Sequence, residues 1–238
     1  MKSNEIKKQA TVRDELQGNK GIKYKIYENL STGVVKLLMK TAITANEITI
    51  LGTIFPFLSV LLFSFGNIWY GLLGIIFLYL GELMDAVDGT LARCKQTCSK
   101  LQSGFLGNLY HSLPYPFLFF GISIGVYVNS GNVIYLLIGA FATMCQLTVA
   151  MVRFLSSSVM MRHGMSFDVN EDKIFNKEKS FIKKMFEAPM KHLRPIILVC
   201  LVFGLFKYFI MFYFVFNFVK VVGYMYTIYN SFKRLESN

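Results

Sequence analysis

Long apolar blocks alternate along the chain with short polar or basic connections, and each block is longer than a globular core helix needs. Six can be drawn: Asn46 to Phe65, Ile68 to Leu91, Gly104 to Val128, Val133 to Leu155, Pro195 to Ile210 and Met211 to Tyr229. Lipid cannot satisfy backbone N–H and C=O groups, so segments of this kind must be helical to cross a bilayer. The pattern predicts an all-α, polytopic membrane protein built as a six-transmembrane-helix bundle. The last boundary stays open. Between Ile196 and Phe232 only Lys207 and Lys220 carry charge, which suits two spans or one long helix with a re-entrant piece.

Ahead of the first block, Tyr24 to Lys40 mixes Ile26, Leu30, Val34, Val35, Leu37 and Leu38 with Lys25, Lys36 and Lys40. That mixture predicts an N-terminal interfacial amphipathic helix lying among lipid headgroups. Three parts follow: residues 1–45 with this helix, a membrane domain over 46–232 that includes a polar loop at 156–194, and a tail at 233–238. No internal repeat appears, so the usual trace of a duplicated transporter is missing.

Charge orients the drawing. Of 25 Lys and Arg residues, 23 fall in residues 1–45, the 93–100 loop, the 153–194 loop and the tail. This asymmetry predicts both termini and the long loops on the cytoplasmic side, in a bacterial-type inner membrane or an ER-like one. The formal net charge of +11 belongs to residues that flank apolar blocks. Their expected partners are anionic membrane lipids, and no nucleic acid is expected. The polar N-terminus lacks an apolar core with a small-residue cleavage site, so a cleaved signal peptide is not expected. Cys94, Cys98, Cys145 and Cys200 show no zinc or redox spacing and read as reduced.

The chemistry concentrates in the second block. Among 14 acidic residues, only Glu82, Asp85 and Asp88 fall well inside an apolar segment. Each would cost roughly 2.5–3.5 kcal/mol at the centre of a bilayer helix, so each needs compensation. Spacing of three sets them along one helical stripe, which Gly89 and Ala92 continue. Carboxylates beside small residues suit a hard divalent cation and a phosphate-bearing ligand, which needs close backbone approach. A buried ion pair is the plainer alternative, but Lys220 is the one deep cation and cannot neutralise the whole stripe. A cation-coupled transporter is the rival from another class. It predicts polar residues lining several spans, whereas here the ionisable groups collect at one end.

These residues carry a resemblance. Asp85-Ala86-Val87-Asp88-Gly89-Thr90-Leu91-Ala92-Arg93 resembles the D-x-x-D-G-x-x-A-R signature of CDP-alcohol phosphotransferases. Thr44-Ala45-Asn46-Glu47-Ile48-Thr49 resembles that family's P-N-x-x-T, with Ala45 in place of the proline. The resemblance implies transfer of a phospho-alcohol or phosphatidyl group from a CDP-linked donor to a lipid or small alcohol acceptor, releasing CMP. It also implies Mg2+ or Mn2+ held by Asp85 and Asp88, nucleotide contacts from Asn46, Thr49, Asp85, Gly89, Ala92 and Arg93, and a homodimer.

The second half of the family pattern departs. Two later aspartates are expected, yet Gly104 to Ser112 holds no carboxylate. Counted from Gly104 the positions are Asn108 and Ser112; with one extra residue allowed before them they are Gly107 and His111. A bacterial subset has histidine last, and Lys95-Gln96-Thr97-Cys98-Ser99 resembles that subset, which favours His111 as the catalytic base. Histidine can accept a hydroxyl proton near neutral pH. Asn108 could lend an amide oxygen to the metal, with Glu82 compensating for the lost charge. Two other readings remain open here: hydrogen bonding of Asn108 and His111 between helices, and a relative that binds nucleotide without turnover.

Overall fold

A computed structural model of the chain describes residues 22–96, 106–107, 113–162 and 192–236. Among the described residues the secondary structure is helix and turn, with no strand. The helices are α1 (Ile22–Leu38), α2 (Ala45–Ser64), α3 (Ile68–Lys95), α4 (Pro114–Ser130), α5 (Val133–Arg162), α6 (Leu193–Val202) and α7 (Phe206–Glu236). Four are long and apolar enough to cross a bilayer: α2, α3, α5 as far as Ser156 and α7 as far as Asn230. The chain is an integral membrane protein. Against the six spans expected, α4 has 17 residues and α6 has 10.

Helix ends follow local chemistry. Thr44 and Glu47 form a reciprocal cap on α2: the Thr44 backbone N–H donates to Glu47 Oε2 at 2.7 Å, and the Glu47 N–H donates to Thr44 Oγ1 at 3.3 Å. This engagement accounts for Glu47 at the edge of a span. Asn67 Oδ1 accepts the Trp69 N–H at 2.8 Å to cap α3, and Asn132 Oδ1 accepts the Ile134 N–H at 3.0 Å to cap α5.

The break in the last apolar run falls earlier than the expected boundary between Ile210 and Met211. It lies at Phe203–Leu205, where Gly204 adopts φ 68°. The Leu205 N–H reaches Cys200 O at 2.7 Å and the Gly204 N–H reaches Leu201 O at 3.3 Å. This is the paired-bond termination that a left-handed residue after a helix permits, and glycine pays no Cβ penalty for it. Beyond it α7 runs unbroken for 31 residues, so the run divides into a short helix and a long one.

The described residues form two compact units. The first takes its described residues from Met1–Leu61 and Leu73–Tyr115, the second from Leu62–Leu72 and Pro116–Asn238. In the first, Val35 of α1, Ala45 and Ile48 of α2, and Val87 and Leu91 of α3 make a buried cluster. Further along the α2–α3 contact the helices pack through glycines. A methyl group added at Gly52 would sit 3.0 Å from Met84 Cβ, and one at Gly81 would sit 3.0 Å from the Pro56 ring. Pro56 has no N–H to give the turn before it, and α2 carries it where α3 presents only a glycine.

In the second unit α7 lies against α5. Its centre is aromatic: Tyr213 is fully buried, with ring centroids 4.6 Å from Phe209 and 4.8 Å from Phe119. Thr143 Oγ1 lies within hydrogen-bond reach of Pro116 O at 3.0 Å and Gly139 O at 2.8 Å, joining α5 to the start of α4. At one end Asn129 Nδ2 donates to Gly66 O at 2.5 Å, and Gly125 of α4 packs so closely that an added Cβ would overlap Phe63 O.

Candidate functional site

The carboxylates lie on α3, which has 28 residues and is ~42 Å long at 1.5 Å per residue. A hydrocarbon core is only about 30 Å thick, so the terminal turn with Arg93 and Lys95 can reach past it while Asp85 and Asp88 stay near its edge. The helix is continuous through Glu82, Asp85 and Asp88. Steps of three on an unbroken helix put successive Cβ atoms about 5–6 Å apart on one face. All three side chains are half-buried.

Each end of this stripe is engaged by another helix of the same unit. Thr49 Oγ1 donates to Asp88 Oδ2 at 2.5 Å, within the range of a charge-assisted hydroxyl bond. The alternative acceptor, Ala45 O, lies farther off at 3.1 Å, so the single hydroxyl proton goes to the carboxylate. The Tyr27 hydroxyl of α1 donates to Glu82 Oε2 at 2.9 Å. Glu82 is thus a docking partner of α1, a role that the sequence reading, with its compensating metal charge, did not include. No periodicity links residues 55 apart, so Tyr27 went unremarked.

The remaining predicted residues divide. Asn46 lies one turn before Thr49 on α2 and is half-buried. It occupies the second helical position; Ala45, before it, takes the first, where proline and alanine are both well tolerated, so the departure from P-N-x-x-T leaves the helix start intact. Ala92 packs against the α1–α2–α3 cluster. Arg93 Nη2 donates to Thr90 Oγ1 at 3.3 Å, and Gly89 is half-buried. Asn108 and His111 lie outside the described residues.

Lys95, which in the sequence only helps to set the register toward His111, has a structural role as well. Its ammonium donates to Thr41 O at 2.8 Å and Ile43 O at 2.7 Å, holding the α1–α2 connection to the end of α3. That connection delivers the first turn of α2, where Asn46 and Thr49 sit.

A stretch of 106 residues is 34% identical to an archaetidylinositol phosphate synthase of Pyrococcus horikoshii. It covers 44% of this chain and 54% of the relative, so the chain spans about half the length of the curated relative it matches. No family model matches the chain.

The motif resemblance implies a divalent cation. Among the described residues no three His, Cys, Asp or Glu side chains converge as a ready-made cage. Two carboxylates on one helical face nevertheless fit Mg2+, which is commonly held by one or two carboxylates with substrate phosphates completing its shell. The bond from Thr49 to Oδ2 of Asp88 restrains the carboxylate's rotation, as a hydrogen bond to a metal-ligating carboxylate commonly does.

Proposed function

We propose that this chain is a metal-dependent CDP-alcohol phosphotransferase of phospholipid synthesis. It would transfer a phospho-alcohol or phosphatidyl group from a CDP-linked donor to an alcohol acceptor and release CMP. The observation that carries this reading is the Asp85–Asp88 stripe on α3 with Thr49 of α2 bonded to it, two motif fragments distant in sequence and joined in space. The likeness to an archaetidylinositol phosphate synthase supports the same chemistry.

Asp85 and Asp88 would hold Mg2+ or Mn2+ against the donor diphosphate, with Thr49 keeping Asp88 in position. Bound there, the cation offsets charge on the diphosphate and stabilises the CMP leaving group. The acceptor hydroxyl oxygen forms a bond to the phosphorus of the transferred group, and the bond from that phosphorus to the bridging oxygen breaks. His111 takes the hydroxyl proton, and Asn108 adds an amide oxygen near the ion. Asn46, Gly89, Ala92 and Arg93 complete the nucleotide's surroundings. The site opens to the cytoplasm, the termini lie on that side, six segments cross the bilayer with α1 at its surface, and two copies associate.

The test is label transfer by purified protein from radiolabelled CDP-diacylglycerol and from a CDP-linked headgroup, with Mg2+ or with EDTA. Chelation and Asp88→Asn should each reduce label transfer by about a thousandfold, the scale expected when transition-state charge loses its main stabilising group. Transfer that survives both would remove Asp88 from the chemistry.

A further inference from the structure

Within the second unit, the α2–α3 turn, the end of α4 and the α6–α7 turn enclose a half-open groove of about 160 Å3. Its walls are mostly apolar, with Phe63, Ile122, Val126 and Leu201 among them, and Asn67, Asn129 and Lys207 add the polar part of the lining. The volume is close to the ~150 Å3 of an apolar cavity known to take up a benzene-sized hydrocarbon. A short length of acyl chain has the same bulk and chemistry.

Two further features say what kind of molecule fits. Trp69, Tyr70 and Tyr208, in the first turns of α3 and α7, are strongly exposed. Exposed Trp and Tyr at the ends of spanning helices mark the headgroup level of a bilayer. Among the described residues of the groove's own segments the cation meets no acid, because no Asp or Glu occurs in residues 62–72, 122–135 or 196–210. Lys207, which lines the groove, also has its Nζ 5.9 Å from the ring centroid of Tyr135 on α5, a contact that leaves the positive charge intact. The Asn67 amide uses its oxygen to cap α3, which leaves its NH2 group as a second donor there.

From this the geometry points to a seat for one membrane phospholipid with an anionic headgroup, an acyl chain in the groove and its phosphate at Lys207. The seat is independent of the transfer chemistry, since none of its residues belongs to the carboxylate site.

Purified full-length protein in detergent, titrated with dioleoyl-phosphatidylglycerol or dioleoyl-phosphatidylcholine and read by native mass spectrometry, tests it. Wild type should retain one phosphatidylglycerol at roughly tenfold lower concentration than phosphatidylcholine, the discrimination that about 1.4 kcal/mol provides. Lys207→Gln should erase the preference, Lys233→Gln should preserve it, and Val126→Trp should fill the groove and exclude both lipids. Ile122→Phe is the second filling variant should Val126→Trp fail to fold. An unchanged preference in Lys207→Gln would overturn the proposal. So would a filling variant that keeps its lipid, or one that turns dimer into monomer with no change in bound lipid, because the groove's occupant would then be a second copy of the chain.

Discussion

Each of the two units has its own internal chemistry. In the first, three helices are linked by polar side chains: Tyr27 to Glu82, Thr49 to Asp88 and Lys95 to two loop carbonyls. In the second, aromatic rings gather around Tyr213 and backbone meets backbone at Gly125, while the polar links of Thr143 and Asn129 go to carbonyls. The first unit's own glycine contacts, at Gly52 and Gly81, meet side chains instead. Polar bonds between helices cost desolvation and add modest net stability. Their concentration beside the carboxylates is better explained by positioning than by stability. Close glycine packing does the reverse, since it fixes nothing chemical but tolerates no added volume.

Substitutions in each unit sharpen that contrast. The largest effect is expected at Gly125→Val, where even the first added carbon would overlap Phe63 O and lie 3.1 Å from Gly66 Cα. Backbone cannot yield as a side chain can, so a loss of about 3 kcal/mol or more is expected, seen as failure to accumulate in membranes or a sharp fall in Tm. Next comes Thr49→Val, which keeps the side-chain shape and deletes the bond to Asp88. Transfer should drop about tenfold in kcat, with Tm changing by only a few degrees, as a charge-assisted bond of about 1.5–3 kcal/mol is lost from the site. An equal fall in both would make Thr49 a structural residue. Tyr27→Phe should cost about 1 kcal/mol and loosen α1, which hydrogen exchange over residues 22–38 would detect. Smallest is Gly204→Ala, where the left-handed turn charges roughly 1 kcal/mol for a Cβ; thermal melts of purified protein would show a drop of a few degrees without altered turnover.

Much of this was legible in the sequence, for identifiable reasons. The beginnings of α2, α3 and α5 fall within one residue of the expected blocks, because the cap residues Thr44, Asn67 and Asn132 interrupt the apolar pattern. The α6–α7 break was misplaced because Gly204 is embedded in apolar neighbours, and its positive φ leaves no mark in hydropathy. For the site, the i, i+3 spacing gave the Asp85–Asp88 stripe, and the motif fragment around Asn46 pointed to Thr49. The contacts of Tyr27 and Lys95 stayed hidden, since their partners are more than fifty residues away and a long-range hydrogen bond has no period. Ala92 shares the motif but also belongs to the packing cluster, and spacing alone does not separate those uses.

The ammonium of Lys95 grips two peptide oxygens of the short link between α1 and α2. Freezing backbone torsions costs about 1–2 kcal/mol per residue, and here that loss is incurred once, during folding. A nucleotide arriving at the first turn of α2 would meet a surface already immobilised, so its own affinity need not be spent on ordering the link.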